Sequence, residues 1–386
     1  MKTPSGAFFD IFPVSGMIST MKLPPSPISC RFGIDSSGRK QMSVQKRLLV
    51  NLFWAAWLSV AAVSAQGADT VIAISIDGMG SSYMQKLVDA GQLPRFKQLE
   101  AESAWTANAR NDFDNTVTLP NHTCMMTGRP VLGPAGHHWT RNTDPAKDMT
   151  IHSNRGFYVA SVFDVAHDNG KHTGLFATKS KFSLFAVSYD ALHGAPAIAG
   201  SDDGRNKLDM FVCKKTSPAL TDAFLDTLST HPCQFALVHF TETDSAGHTD
   251  GWGNTNYNAA LVLLDACVGR IMDFISTNTA LKGKTTLIVT TDHGGKGFGH
   301  GDPEEPLDYT IPFFVWGADA TAGDLYAFNP DTRRNPGVGH PNYSTITQPV
   351  RNGEVGNLAL KLLGLGPIPG STVGAKQDLR FAPPGR

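Results

Sequence analysis

Three short apolar runs each end in a segment rich in Asp or His. Thr70–Ile76 (TVIAISI) leads into Asp77-Gly78. Phe235–Phe240 (FALVHF) leads into Thr241-Glu242-Thr243-Asp244-Ser245-Ala246-Gly247-His248. Thr286–Thr291 (TLIVTT) leads into Asp292-His293-Gly294, with His300 seven residues beyond His293. A lone Asp after a strand is an ordinary turn or helix cap, but capping does not explain three strand ends that together supply three Asp and three His. Crowded carboxylates repel, and their pKa values rise unless a cation compensates. Carboxylate with neutral imidazole suits zinc, and also manganese or iron. The Asp244-x3-His248 spacing puts both side chains on one side of a helical turn. Adjacent Asp292 and His293 are expected to point in different directions, one towards each of two ions. Six ligands divide into two groups of three, and two ions ~4 Å apart can clamp the attacking and leaving oxygens of a phosphoryl displacement. Three Asp would leave such a pair of divalent ions with about one net positive charge.

The segment Asn115-Thr116-Val117-Thr118-Leu119-Pro120-Asn121-His122 offers a nucleophile. Pro120 suits the first turn of a helix. A Thr118 hydroxyl there would sit at the positive end of the helix dipole, near free backbone N–H groups. Alone, Thr118 reads as a plain N-cap, which is common. Beside a metal pair its hydroxyl becomes available as an alkoxide.

These residues need a scaffold that gathers strand ends. Strands are expected at the three runs above and at Thr173–Ala177 and Ile311–Val315. Helices are expected at Ser81–Ala90, Leu119–Thr127, Ser161–Asn169, Thr221–Thr230, Asn256–Ser276 and Glu354–Leu363. Apolar β-branched runs alternating with helices indicate an α/β fold, a mostly parallel central sheet with helices on both faces. In such a sheet the site lies beyond the carboxyl ends of the strands. Residues Asp144–Arg155, Gly194–Lys215 and Ala318–Pro349 read as loops, and residues 66–386 as one domain.

The chain of 386 residues carries 33 Lys+Arg and 34 Asp+Glu, which excludes a strongly basic nucleic-acid binder. The balance is uneven: residues 1–65 carry +5 and the remainder −6. Lys46-Arg47, the apolar run Leu48–Ala62 and the small residues Val63-Ser64-Ala65 describe a secretory signal peptide over 42–65. Residues 1–41 are rich in Pro, Ser and Gly, and read as an over-extended or disordered N-terminus with Met42 as the true start. In an exported protein Cys213 and Cys233 are the expected disulfide, with Cys124 and Cys267 as buried thiols. There is no C-x-x-C motif, no G-x-S-x-G elbow and no Walker A loop.

Asp77-Gly78, Thr118-Leu119-Pro120-Asn121-His122 followed by Thr127-Gly128, Asp244-x3-His248 and Asp292-His293-Gly294 resemble the successive motifs of the alkaline phosphatase superfamily. The closest branch is the type I phosphodiesterase/nucleotide pyrophosphatase family, matched in order from about residue 70 to 317. The resemblance implies an alkaline-phosphatase-like fold and two Zn2+ per chain. One zinc would be held by Asp244, His248 and His300, with His340 as the fallback for the last. The other would be held by Asp77, Asp292 and His293, with Thr118 bridging as nucleophile. Asn142 would donate to a phosphoryl oxygen, together with the backbone N–H of Leu119. His122 and Lys179 are expected to be structural or on the surface. The implied activity is exported, periplasmic or secreted, hydrolysis of a phosphodiester or nucleotide pyrophosphate through a phospho-threonine. The implied partner is a small phosphate-ester or nucleotide substrate, with no stable nucleic-acid partner and no membrane contact after signal cleavage. The alternatives are a phosphomonoesterase, a phosphonoacetate hydrolase, or a non-catalytic metal-binding scaffold. One spare positive charge favours a diester unless Arg129, Arg141 or Arg155 lies nearby. The usual aromatic residue after the nucleophile is Leu119 here. A sulfatase is excluded, because Cys124 is followed by Met125-Met126 rather than by C-x-P-x-R.

Overall fold

Near the centre of the sheet runs strand β1 (Thr70–Ile76), buried along its whole length. Its alternating residues serve two cores. Val71 and Ala73 pack with Phe235, Leu237 and Ile288 on one face. Ile72, Ile74 and Ile76 pack with Val238, Leu287 and Val289 on the other. The computed structural model describes residues 68–318 and 320–383. The expected signal peptide and Met42 start therefore lie outside the described residues.

The remaining strands are β2 (Ala104–Arg110), β3 (Thr173–Ala177), β4 (Met210–Cys213), β5 (Phe235–Phe240), β6 (Thr285–Thr290), β7 (Thr310–Gly317) and β8 (Gly323–Asp324). They form one eight-stranded sheet in the order β4-β3-β5-β1-β6-β7-β2-β8. Pairings are parallel except those of β7 with β6 and β2, so β7 alone runs against the others. The helix Thr255–Thr277 buries Leu261, Leu264, Val268, Ile271 and Ile275 against one face. The helix Val355–Leu362 covers the other with Val355, Leu358, Ala359 and Leu362. This is the α/β architecture expected from the sequence.

The order β5-β1-β6 sets the three strand ends that lead into the Asp- and His-rich segments side by side at the centre of the sheet. Adjacent strands lie ~4.8 Å apart, so side chains just beyond their carboxyl ends can converge. In register, Ile76 pairs with Phe240 and Ser75 with Thr290.

Several elements differ from expectation. Strand β2 (AWTANAR) is only alternately buried; its single β-branched residue, Thr106, gives a weak strand pattern. Strands β4 and β8 are short edge pieces within stretches expected to be loops. The helix Pro94–Glu102 buries only Phe96 and Leu99, so its apolar stripe is slight. The expected Cys213–Cys233 bridge is overturned, since both thiols are free. Cys213 pairs with Ala177 at the carboxyl end of β3, whereas Cys233 packs on Gly174 near its start. Three residues of strand, ~10 Å, separate the two levels, beyond the reach of a disulfide. Cys124 and Cys267 are buried thiols, as expected.

Candidate metal centre and active site

Asp77 leaves β1 at a turn that its neighbours lock. Gly78 has φ +75°, and a Cβ there would stand 3.0 Å from the Asp244 Cα. The Gly78 N–H donates to Asp292 Oδ1 at 3.2 Å, and the Gly78 carbonyl accepts from Trp252 Nε1 and the Tyr257 hydroxyl, both at 2.9 Å. Asp244 lies in the first turn of the helix Glu242–Asp250, one turn before His248.

The three histidines share one hydrogen-bonding arrangement. Nδ1 of His248, His293 and His300 faces the carbonyls of Phe298, Gly294 and Thr116 at 3.0, 2.8 and 2.7 Å. In each neutral ring this assigns the proton to Nδ1 and leaves a lone pair on Nε2. Those Nε2 atoms converge on carboxylates. His293 Nε2 is 3.4 Å from Asp77 Oδ1 and 3.2 Å from Asp292 Oδ2. His248 and His300 Nε2 are 3.4 and 3.6 Å from Asp244 Oδ1, and 3.1 Å from each other. Two lone pairs at that separation require a shared proton or a cation. Asp77 Oδ1, Asp244 Oδ1, Asp292 Oδ2 and His293 Nε2 are buried with no hydrogen-bond partner. Buried polar atoms orphaned on this scale are rare in native interiors, and this ligand set with oriented imidazoles fits divalent metal ions.

Among the described residues, two triplets bring ligand atoms within 4.8 Å of one another: Asp77, Asp292 and His293, and Asp244, His293 and His300. His293 stands in both, and the contacts above add His248 to the second. The expectation that Asp292 and His293 diverge is overturned. Their tips lie 3.2 Å apart because Asp292 Oδ1 is tied to the Gly78 and His293 N–H groups, which turns Oδ2 inward.

A fourth strand end enters the site. Lys179, two residues past β3, spans Asp77 Oδ2 and Asp244 Oδ2 at 2.6 Å each. Its expected surface role is thereby corrected. His239, on β5, reaches the same Asp77 oxygen at 2.9 Å. Burial pushes the Asp77 pKa up, but the Lys179 ammonium and the His239 and His293 contacts outweigh it and hold the group well below the usual carboxylate range. Burial and the Asp77 charge push Asp292 up to about 6. Burial opposes the charge on His293, yet Asp292 and Asp77 raise it to about 9. Burial, then repulsion from His293, lowers His300 to about 3.

Thr118 opens the helix Thr118–Thr127, which ends at Gly128. The loop before it is pinned on both sides. Asn121 Nδ2 donates to the Asn115 carbonyl at 2.7 Å and the Val117 carbonyl at 3.1 Å, while its Oδ1 accepts from the Asp112 N–H at 2.9 Å. The Thr116 hydroxyl donates to the His300 carbonyl. His122 bonds the Thr118 carbonyl and the Ser75 hydroxyl, both at 2.8 Å, and its Nδ1 lies 3.6 Å from Asp292 Oδ2. His122 is therefore structural, as expected, and it ties the Thr118 carbonyl towards Asp292, while Thr116 ties the start of the same segment to His300. Asn142 Oδ1 accepts from the Leu119 N–H at 3.0 Å and from Lys181 Nζ at 3.1 Å. The Leu119 donor is thus engaged by Asn142 itself.

Residues 71–335 match the type I phosphodiesterase/nucleotide pyrophosphatase family. The chain belongs to that family. Ectonucleotide pyrophosphatase/phosphodiesterase family member 3 of Rattus norvegicus is 26% identical over 248 residues, 62% of this chain and 27% of the rat protein. A 2,3-bisphosphoglycerate-independent phosphoglycerate mutase of Syntrophotalea carbinolica is 33% identical over 79 residues, 20% of this chain and 14% of the mutase. The matches thus span about a quarter or less of the curated relatives' own length. Murine ectonucleotide pyrophosphatase/phosphodiesterase 5 superposes with a TM-score of 0.55 at 12% identity, covering 80% of this chain and 99% of that one. Alkaline phosphatase PafA gives 0.57 at 11% identity, with 82% and 99% covered. The fold is alkaline-phosphatase-like.

Other expected residues of this phosphodiesterase-family chain fall elsewhere. His340 stacks on Tyr309 with its Nδ1 facing the Pro303 carbonyl, and stands in neither triplet. Arg129 and Arg155 hold loop carbonyls between Pro134 and Pro369, and Arg141 contacts Met149. Positive charge enters through Lys179 and Lys181 instead. The sequence signal that joins Lys181 to Lys179 is Thr178-Lys179-Ser180-Lys181, directly after the predicted strand Thr173–Ala177.

Proposed function

We propose that this protein is an exported two-zinc hydrolase of phosphate esters, cleaving phosphodiester or nucleotide pyrophosphate bonds with Thr118 as nucleophile. The observation that carries the reading is the convergence of four buried, unpartnered ligand atoms next to a threonine at a helix start. Asp77, Asp292 and His293 would hold one ion, and Asp244, His248 and His300 the other. Such ions supply a lowered hydroxyl pKa and stabilisation of oxygens that gain charge. Thr118 Oγ attacks phosphorus and forms a phospho-threonine while the ester oxygen departs; water then hydrolyses the intermediate. Asn142, fixed through Oδ1 by Leu119 and Lys181, presents its amide to a phosphoryl oxygen. Family membership supports the diester and pyrophosphate classes, and the murine relative of this fold has been crystallised with AMP.

A phosphomonoesterase reading has its own support. A monoester is a dianion, and Lys179 and Lys181 bring two ammonium groups to the region of Asn142 and the carboxylates. The deciding assay compares a nitrophenyl phosphodiester, a nitrophenyl monoester and phosphonoacetate on protein shown by metal analysis to hold close to two zinc ions. Activity without metal would end the proposal. Export with cleavage after Ala65, leaving residues 66–386 as the catalytic domain, is tested by sequencing the mature N-terminus.

A further inference from the structure

Phe298 is 65% exposed, unusually open for a phenyl side chain. Phe157, exposed to 45%, is covered by guanidinium groups, with Arg155 at 4.3 Å and Arg129 at 5.8 Å from the ring centre. Phe298 has no such cover.

Its turn is anchored on every side. Lys296 and Gly299 pair across it, with N–H to carbonyl distances of 2.8 and 3.2 Å. Gly297 takes φ +60°, a conformation glycine adopts without cost. The Gly297 carbonyl accepts from the Trp252 N–H at 2.8 Å, and the Phe298 carbonyl faces His248 Nδ1 at 3.0 Å. The outer edge of the phenyl ring lies against Gly251, at the end of the helix that carries Asp244 and His248. The turn that carries the ring is therefore tethered through its backbone to His248, whose side chain is 47% exposed and forms the open edge of the centre.

That edge has a defined place in the reaction. On the phosphate-ester reading Thr118, whose carbonyl His122 ties towards Asp292, attacks from the Asp292 side. In-line displacement puts the departing oxygen on the side away from the nucleophile, which is the side of Asp244, His248 and His300. We propose that Phe298 is a specificity-determining platform for an aromatic or otherwise apolar leaving group. The proposal rests on the phosphate-ester reading above. A tethered ring loses little freedom on binding, so the contact favours aryl over small alkyl leaving groups.

The test compares wild type with Phe298→Ala and Phe298→Leu, all zinc-loaded. The substrates share one phosphoryl portion and differ in a nitrophenyl or a trifluoroethyl leaving group. Phe298→Ala should raise KM for the nitrophenyl substrate about tenfold, the scale of partial phenyl burial, and leave the trifluoroethyl substrate and zinc content unchanged. Phe298→Leu should fall between. Equal losses on both substrates, or none, would overturn the platform. Binding of benzylphosphonate against methylphosphonate, followed calorimetrically, separates this proposal from the hydrolytic one. An inactive protein that prefers the benzyl ligand, and loses the preference in Phe298→Ala, upholds the platform and defeats the hydrolase. A wild type with no benzyl preference defeats the platform whatever its activity.

Discussion

The Lys179 ammonium lies between Asp77 and Asp244, and bonds one oxygen of each while the other oxygen has no partner. Removing one member of a buried ionic cluster leaves the remaining charges uncompensated, at a cost of about 3–5 kcal/mol. Lys179→Met should therefore destabilise the metal-free protein by roughly that amount, and the metal-loaded protein by clearly less, because bound cations replace the lost charge. Denaturant titrations with and without chelator measure the difference; equal losses would show that Lys179 is not a counter-ion of the centre. Thr118 makes the opposite kind of prediction. Its hydroxyl is one donor atom among seven proposed, so Thr118→Ala should abolish turnover, by at least ~10³-fold, while metal analysis still finds the ions. Residual activity well above that level would remove Thr118 as nucleophile. Lys181 touches Asn142 and no carboxylate ligand. Lys181→Ala should cost monoester hydrolysis about tenfold more than diester hydrolysis, the scale of one charge-assisted hydrogen bond, as read from kcat/KM on both nitrophenyl substrates.

At the scale of elements, the site depends on two short segments with no repeating structure, Asp77–Gly80 and Asp112–Val117. Asn121 closes the second by three hydrogen bonds from within the helix it precedes. Asn121→Ala leaves the Asp112 N–H and the Asn115 carbonyl short of a partner and the Val117 carbonyl with only the backbone N–H of residue 121, which should cost about 1–3 kcal/mol and lower kcat with Thr118 still present. A thermal melt and a single-turnover assay test both halves. The strands that lead into the cluster were legible in the sequence because each is a continuous apolar run that ends in chemistry-bearing residues, whereas the helix Glu242–Asp250 has no apolar stripe and showed only in the Asp244-x3-His248 spacing. The residues that converge there, Asp77, Asp244, His248, Asp292, His293 and His300, could be read because they follow those runs directly or by a few residues. What escaped depends on tertiary neighbours. Strand β2 and the helix Pro94–Glu102 bury too few residues to print a periodic pattern. Lys179 becomes part of the centre only because β3 lies next to β5 in the sheet. Spacing places Asp292 and His293 side by side but carries no record of the Gly78 N–H that turns the carboxylate inward.

For the whole molecule, the centre of the sheet holds an unbalanced set of charges that either protons or metal ions must neutralise. In the metal-free state His293 is raised to about 9 by Asp292 and Asp77. A folded-state pKa above the unfolded value of ~6.5 contributes stability that is fully present below pH ~6.5 and is lost as pH rises through 9. The metal-free protein should therefore become less stable between pH 6.5 and 9. A metal ion held by His293 should reverse the trend, since it would compete with the same proton for Nε2 and its apparent affinity would rise over that range. Uptake of zinc at pH 7 should release about one proton from His293. Isothermal titration of chelated protein in two buffers of different ionisation enthalpy counts that proton directly, and melting curves at pH 6.5 and 9, with and without zinc, follow the stability. A metal-free protein that gains stability towards pH 9, or zinc uptake without proton release, would mean that His293 is not the group the ion displaces.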